Sequence, residues 1–265
     1  MKKYEGYALI TGGNSGFGLE FAKQLAAFGY DLVLVARHET RLESAKEHLT
    51  KEFGVDVVII AQDLSAPDST DIICEILQKK KIHIGLLINN AGMGAMRRFH
   101  EISLEVSLNM IKVMCLSVTH LTHKLLPGML EKGSGGIIFV SSIAAHFPGP
   151  FNAVYAASKA FELQLAVSLH GEYNKLGIDV LAICPGITET DVFNRGELHR
   201  PIVDVVSLYP EPLVKTTLEA LGKRIVITFP NDKRIHFALF LSGLMPYKLR
   251  ELSILDAMKR LWGME

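Results

Sequence analysis

Short apolar runs alternate along this chain with longer stretches whose apolar residues recur every three or four positions. The runs Tyr7–Thr11, Asp31–Ala36, Val55–Ala61, Gly85–Asn89, Gly136–Val140, Asp179–Ile183 and Arg224–Thr228 are rich in Val, Ile and Leu. Runs without polar alternation read as strands covered on both faces. The stretches Gly18–Phe28, Arg41–Phe53, Ser69–Lys79, Leu104–Leu125, Val154–Leu176 and Pro212–Leu221 carry helical spacing. Strand then helix, repeated, calls for right-handed crossovers and a parallel sheet. The pattern predicts an α/β fold with one doubly wound, seven-stranded parallel sheet and helices on both faces. No linker or repeat divides residues 1–230, and residues 231–265 read as an apolar, amphipathic helical extension of the same domain.

Composition narrows the function classes. Lys+Arg and Asp+Glu both number 28 in the 265 residues, so no excess of positive charge favours nucleic acid. Cys74, Cys115 and Cys184 lie far apart in apolar segments, a pattern of buried thiols with no disulfide or metal-site spacing. The polar opening Met1–Glu5 and the glycine-interrupted run behind it do not form a signal peptide. No unbroken apolar run approaches the ~18 residues of a membrane span. A soluble, cytoplasmic protein is the expectation.

The first strand runs directly into Thr11-Gly12-Gly13-Asn14-Ser15-Gly16-Phe17-Gly18, and a helix pattern starts at once. Glycines let a pyrophosphate approach the peptide N–H groups, and the helix N-terminus adds free donors and partial positive charge. Between a first strand and a first helix, this turn predicts dinucleotide binding by a Rossmann-type domain. A NAD site places an acid at the end of the second strand to hold the ribose 2′-hydroxyl. Here the strand ends Val35-Ala36-Arg37. Arg37 is either a solvated loop residue or a partner for a 2′-phosphate, and the missing acid favours the phosphate and NADP(H).

Tyr155 and Lys159 stand four apart at the start of a helix pattern, on one face and one turn apart. A nearby ammonium favours phenolate, which suits a tyrosine to proton transfer. Ser142 follows the run Ile137–Val140, at the carboxyl end of a strand where α/β sheets bind ligands. Each residue alone is ordinary; together with the glycine turn, in this order, they form a specific set.

The set resembles the short-chain dehydrogenase/reductase family, in its NADP-preferring branch, over roughly Tyr4 to Thr228. The resemblance rests on Thr11–Gly18, Asp63-Leu64, Asn89-Asn90-Ala91-Gly92, Ser142, Tyr155-Ala-Ala-Ser-Lys159, and Pro185-Gly186 with Thr188. It implies that Asp63 and Leu64 meet the adenine and that Asn90, Ala91 and Gly92 line the central cleft. It implies Ser142, Tyr155 and Lys159 as the catalytic residues. Tyr155 would be the general acid in reduction and base in oxidation, Lys159 would hold the nicotinamide ribose, and Ser142 would orient the substrate oxygen. Ile187 and Thr188, beyond Pro185 and Gly186, would contact the nicotinamide amide. A homodimer acting on a small carbonyl or alcohol follows from the same resemblance.

The chain departs from that pattern at one position. The family usually carries an asparagine in the helix after the fourth strand, where it helps hold a water joining the lysine to solvent. Met114 occupies the matching place, and a thioether offers no amide donor. Ser117, one turn on, or carbonyls freed at a helix irregularity would have to hold the water instead. The contrasting reading is a dinucleotide-binding regulatory or scaffold protein with an impaired relay. Glu189–Pro210 reads as a substrate lid, with Phe147, Phe151, Phe193 and Leu198 contacting either a substrate or the loop itself. The tail either packs on the sheet edge or a subunit, or lies on a membrane surface through Lys248, Arg250, Lys259, Arg260 and Trp262.

Overall fold

The computed structural model describes residues 3–186 and 209–228, together with positions 246, 249, 252 and 256. The Val, Ile and Leu runs form β1 (Tyr7–Thr11), β2 (Leu32–Ala36), β3 (Val57–Ala61), β4 (Ile84–Asn89), β5 (Gly135–Val140), β6 (Ile178–Cys184) and β7 (Val226–Thr228). They pair in parallel, in the order β3-β2-β1-β4-β5-β6-β7. The chain reverses its direction across the sheet between β1 and β4. Ligand crevices of open α/β sheets lie at such a reversal, outside the carboxyl ends of the strands.

The helices are α1 (Gly16–Ala27), α2 (Glu39–Phe53), α3 (Ser69–Lys79), α4 (Leu104–Ile111), α5 (Ser117–Glu131), α6 (Ala153–Tyr173) and α7 (Pro210–Ala220). One face of the sheet is covered by α1, α2 and α7 through Phe21, Leu25, Leu42, Leu49 and Val214. Ile73, Met110, Leu121, Met129 and Ala166 bring α3 to α6 onto the other. Burying each large apolar side chain contributes roughly 1.5–3 kcal/mol, which holds these layers together.

Element ends shift by a few residues from the sequence reading. β2 begins at Leu32; just before it the Asp31 carbonyl accepts the Ala8 N–H and its carboxylate accepts the Asp56 N–H, both at 2.9 Å. β7 begins at Val226 because the N–H groups of Lys223 and Arg224 turn back to the Ala220 carbonyl at 2.8 and 3.0 Å.

The larger correction concerns the helix expected over Leu104–Leu125. It is three pieces: α4, a π-turn at Lys112–Leu116, and α5. At the wide turn the Ser117 N–H reaches the Lys112 carbonyl, and the Ser117 hydroxyl takes the Val113 carbonyl at 2.7 Å. Nor does the helix stop before Pro127. Met129, fully buried under the sheet, holds the chain helical to Glu131 despite the hydrogen bond a proline removes. Leu104–Glu131 as a whole is apolar and long enough to cross a membrane by length and composition, whereas the sequence reading expected no such segment. Met110, Met114, Leu121 and Met129 pack on the sheet, whereas Leu104, Leu108, Ile111 and Leu116 of the same segment are exposed.

Candidate active site

The glycine-rich turn leaves β1 and enters α1 at the switch point. Gly12 has φ of +68°, the left-handed region that glycine tolerates. A Cβ on Gly18 would fall onto the Gly12 carbonyl oxygen, so glycine there lets α1 close against the turn. No acid sits in the first turn of α1, so its N-terminal partial charge is open to an anion.

Thr11 and Asn90 tie the turn to β4. The Thr11 hydroxyl donates to the Ile88 carbonyl at 3.3 Å and accepts the N–H groups of Asn90 and Ala91, both at 3.0 Å. The Asn90 side-chain amide donates to the Thr11 carbonyl at 2.8 Å. Asn90 thus pins the turn in place, while Ala91 and the exposed Gly92 border the opening above it.

Arg37 is exposed just past β2, and Asp63 lies just past β3 on the neighbouring strand. Asp63 Oδ1 accepts the N–H and hydroxyl of Ser65 at 2.8 and 2.7 Å. Partial burial pushes the Asp63 carboxyl up, but the Ser65 hydrogen bonds and the charges of Arg37 and Lys112 prevail and hold it below the usual carboxylate range. Cations therefore stand around the end of the cleft where the family resemblance puts the adenosine.

Ser142 begins the turn Ile143–His146 after β5, and its hydroxyl oxygen accepts the Ala144 N–H at 3.2 Å, leaving its own hydrogen for an acceptor. Two bonds stitch α6 to this strand end: the Ser141 hydroxyl donates to the Lys159 carbonyl at 2.7 Å, and Lys159 Nζ donates to the Val140 carbonyl at 2.8 Å. Tyr155 and Lys159 are thereby set beside Ser142, with Nζ 5.9 Å from the Tyr155 ring centre. A Cβ on Gly92 would stand 3.5 Å from Nζ and 3.6 Å from Met114 Sδ, so the cofactor cleft, the lysine and Met114 meet at one point. Phe151, with φ of +64°, is held by the Arg97 N–H at 2.9 Å and fixes the loop leading into α6.

This arrangement fits a dinucleotide: a glycine turn at a helix N-terminus, cations beside the adenosine end, and an exposed glycine beside a lysine at the other. The chain also matches the short chain dehydrogenase family over residues 6–200. It belongs to that family. This short-chain dehydrogenase is 32% identical over 222 residues to the very-long-chain 3-oxoacyl-CoA reductase of Bos taurus, covering 82% of this chain and 68% of that protein. Among solved structures it is similar to a short-chain dehydrogenase from Sphingobium yanoikuyae in complex with NADPH, with a TM-score of 0.80, 30% identity, and 90% and 93% of the two chains covered. It is also similar to the bulky-bulky ketone specific alcohol dehydrogenase from Comamonas testosteroni, with a TM-score of 0.77, 27% identity, and 90% and 92% covered. The short-chain dehydrogenase is an oxidoreductase that moves hydride with a nicotinamide dinucleotide.

Gly12, Asn14, Ser15, Gly16, Phe17 and Gly18 form the turn, with Pro185 and Gly186 beyond β6. Ile187, Thr188, Phe193 and Leu198, the segment Glu189–Pro210 expected to be a lid, except its last two residues, and the basic tail residues lie outside the described residues. The Ser117 hydroxyl donates its hydrogen to the Val113 carbonyl, so it could meet a water only as an acceptor. Glu162 escaped the sequence reading. It is 1% exposed, and its Oε1 and Oε2 accept from Lys159 Nζ at 3.1 and 2.9 Å. The signal was an acid three residues past a lysine, among the apolar residues of α6.

Proposed function

We propose that this short-chain dehydrogenase is an NADP(H)-dependent carbonyl reductase for substrates whose carbonyl is carried on an apolar chain or bulky frame. The observation that supports the reading is the stitching of α6 to the end of β5 by the Ser141–Lys159 and Lys159–Val140 bonds, with the Lys159 ammonium 5.9 Å from the Tyr155 ring centre and Ser142 next along the chain from Ser141. The dinucleotide supplies the hydride. The α1 N-terminus and the turn from Gly12 to Gly18 hold its pyrophosphate, Asp63 and Leu64 its adenine, and Arg37 its 2′-phosphate, with Ala91, Gly92, Pro185 and Gly186 along the central cleft. Ile187 and Thr188 complete the nicotinamide end in this reading. Ser142 donates to the substrate oxygen, and Tyr155 gives that oxygen a proton in reduction and removes it in oxidation. Lys159 keeps positive charge beside the phenol.

NADPH is favoured over NADH because the second strand ends at Ala36 without the acid that would hold a 2′-hydroxyl and Arg37 follows it, and because the Sphingobium relative is described with NADPH. The substrate class follows the relatives named for very-long-chain 3-oxoacyl-CoA and for bulky ketones. Retention of Ser142, Tyr155 and Lys159 favours catalysis over a scaffold role. The same reading includes a cytoplasmic homodimer with peripheral membrane contact through residues 231–265, testable by co-sedimentation with liposomes. The decisive experiment follows NADPH consumption with long-chain 3-oxoacyl thioesters and bulky ketones. Turnover of either supports the assignment; NADPH binding with no turnover of either class refutes it.

A further inference from the structure

Lys159 and Glu162 form a buried ion pair directly beneath the cleft, at 4% and 1% exposure. An ammonium has three N–H donors at tetrahedral spacing. The two Glu162 oxygens belong to one carboxyl group and lie much closer together, as seen from Nζ, than tetrahedral spacing. They therefore share one N–H direction, at 2.9 and 3.1 Å. The Val140 carbonyl takes a second at 2.8 Å. The third is left toward the open side, where Gly92 has no side chain and a Cβ would stand 3.5 Å from Nζ. Met114 borders the same point, with Sδ 3.6 Å from that Cβ position, and offers only a weak acceptor.

We propose that Glu162 is a positioning residue for Lys159: with the Val140 carbonyl it fixes two of the three ammonium N–H directions and aims the third into the cofactor cleft, a hold that Met114 cannot supply. This rests on the proposed role of Lys159 in the reductase. It assigns the charge balance of the site to a carboxylate on the lysine's own helix.

The arrangement has a pH signature. Burial pushes the Glu162 carboxyl up to about 7, against the pull of the Lys159 charge. Burial alone would lower the Lys159 ammonium, but Glu162 and Tyr155 outweigh it and hold it above its ordinary range. The titratable groups facing the pair are Tyr155 on α6, Cys115 on the π-turn and Cys184 on β6. Burial raises both thiols, Cys184 to about 12, so neither changes charge near neutrality. Because burial raises the Glu162 carboxyl, it takes up a proton closer to neutrality than an exposed carboxyl does, and its grip on Nζ weakens when it does.

The test uses the full chain, with NADPH affinity read by fluorescence titration on both sides of neutrality, beside steady-state rates. Affinity of the unsubstituted protein should fall about tenfold as pH drops through that step, the size of one lost charge-assisted hydrogen bond. Glu162→Gln should be weaker by about the same factor at high pH and should lack the step. Met114→Asn placed on Glu162→Gln should recover most of the affinity, because an amide at 114 gives Lys159 a second way of being held. A Glu162→Gln protein with unchanged affinity and an unchanged pH profile would overturn the proposal, and so would a double variant no better than Glu162→Gln alone. If Glu162→Gln fails to fold by circular dichroism, Glu162→Asp decides, since it keeps the charge but shortens its reach: NADPH affinity equal to that of the unsubstituted protein refutes the positioning role. Absence of turnover in the unsubstituted protein sinks the reductase reading and leaves the binding measurements to decide on Glu162.

Discussion

Replacing Arg37 by alanine isolates the choice between NADPH and NADH. Arg37 is exposed past the end of β2, in the field that also reaches Asp63, and Lys112 contributes to the same field. A hydrogen bond to a charged group contributes about 1.5–3 kcal/mol. Exposure lets water and salt compete, and Lys112 keeps part of the positive potential, so the low end applies. About 1.5 kcal/mol is close to tenfold in affinity. Arg37→Ala should therefore raise the NADPH dissociation constant about tenfold and leave that for NADH nearly unchanged, with a smaller difference at high salt. Fluorescence titration of both cofactors at two ionic strengths measures this. Equal weakening for the two cofactors would show that Arg37 acts on the shared part of the molecule. An unchanged NADPH affinity would place the 2′-phosphate elsewhere.

Tyr155→Phe should bind NADPH normally and lose turnover, since no other hydroxyl replaces its proton, whereas Lys159→Ala should weaken both; near-normal rates for Tyr155→Phe on a confirmed substrate would reject its role. Gly18→Ala puts a Cβ against the Gly12 carbonyl and 2.7 Å from Asn90 Nδ2, so the turn must move. Overpacking of this kind costs about 1–3 kcal/mol, and thermal melting together with NADPH titration should show lower stability and weaker binding. Met114→Asn alone should alter the steady-state rate by no more than about tenfold, or 1.4 kcal/mol, because Glu162 already holds Lys159; activity appearing only in this variant would point to a decayed catalyst.

The alternation of apolar runs and helical stretches was sufficient to predict the parallel sheet, because strands buried on both faces leave no polar alternation to misread. The glycine turn, Ser142 and the Tyr155–Lys159 spacing were legible for a related reason: their chemistry depends on local backbone geometry and on one helical turn. Tertiary packing decided the rest. The helix after β4 runs through Pro127 because Met129 is buried beneath the sheet, an energy absent from local propensity. Its π-turn at Met114 and the bond from the Ser117 hydroxyl to the Val113 carbonyl follow from how that helix sits on the sheet, and they leave Ser117 able to meet a water only as an acceptor. Asn90 ties the glycine turn to β4, a bond across 79 residues of chain that no spacing encodes. Glu162 looked like any helix acid until folding placed it under Lys159. There the scarcity of water makes a single carboxylate the main partner of the lysine's charge.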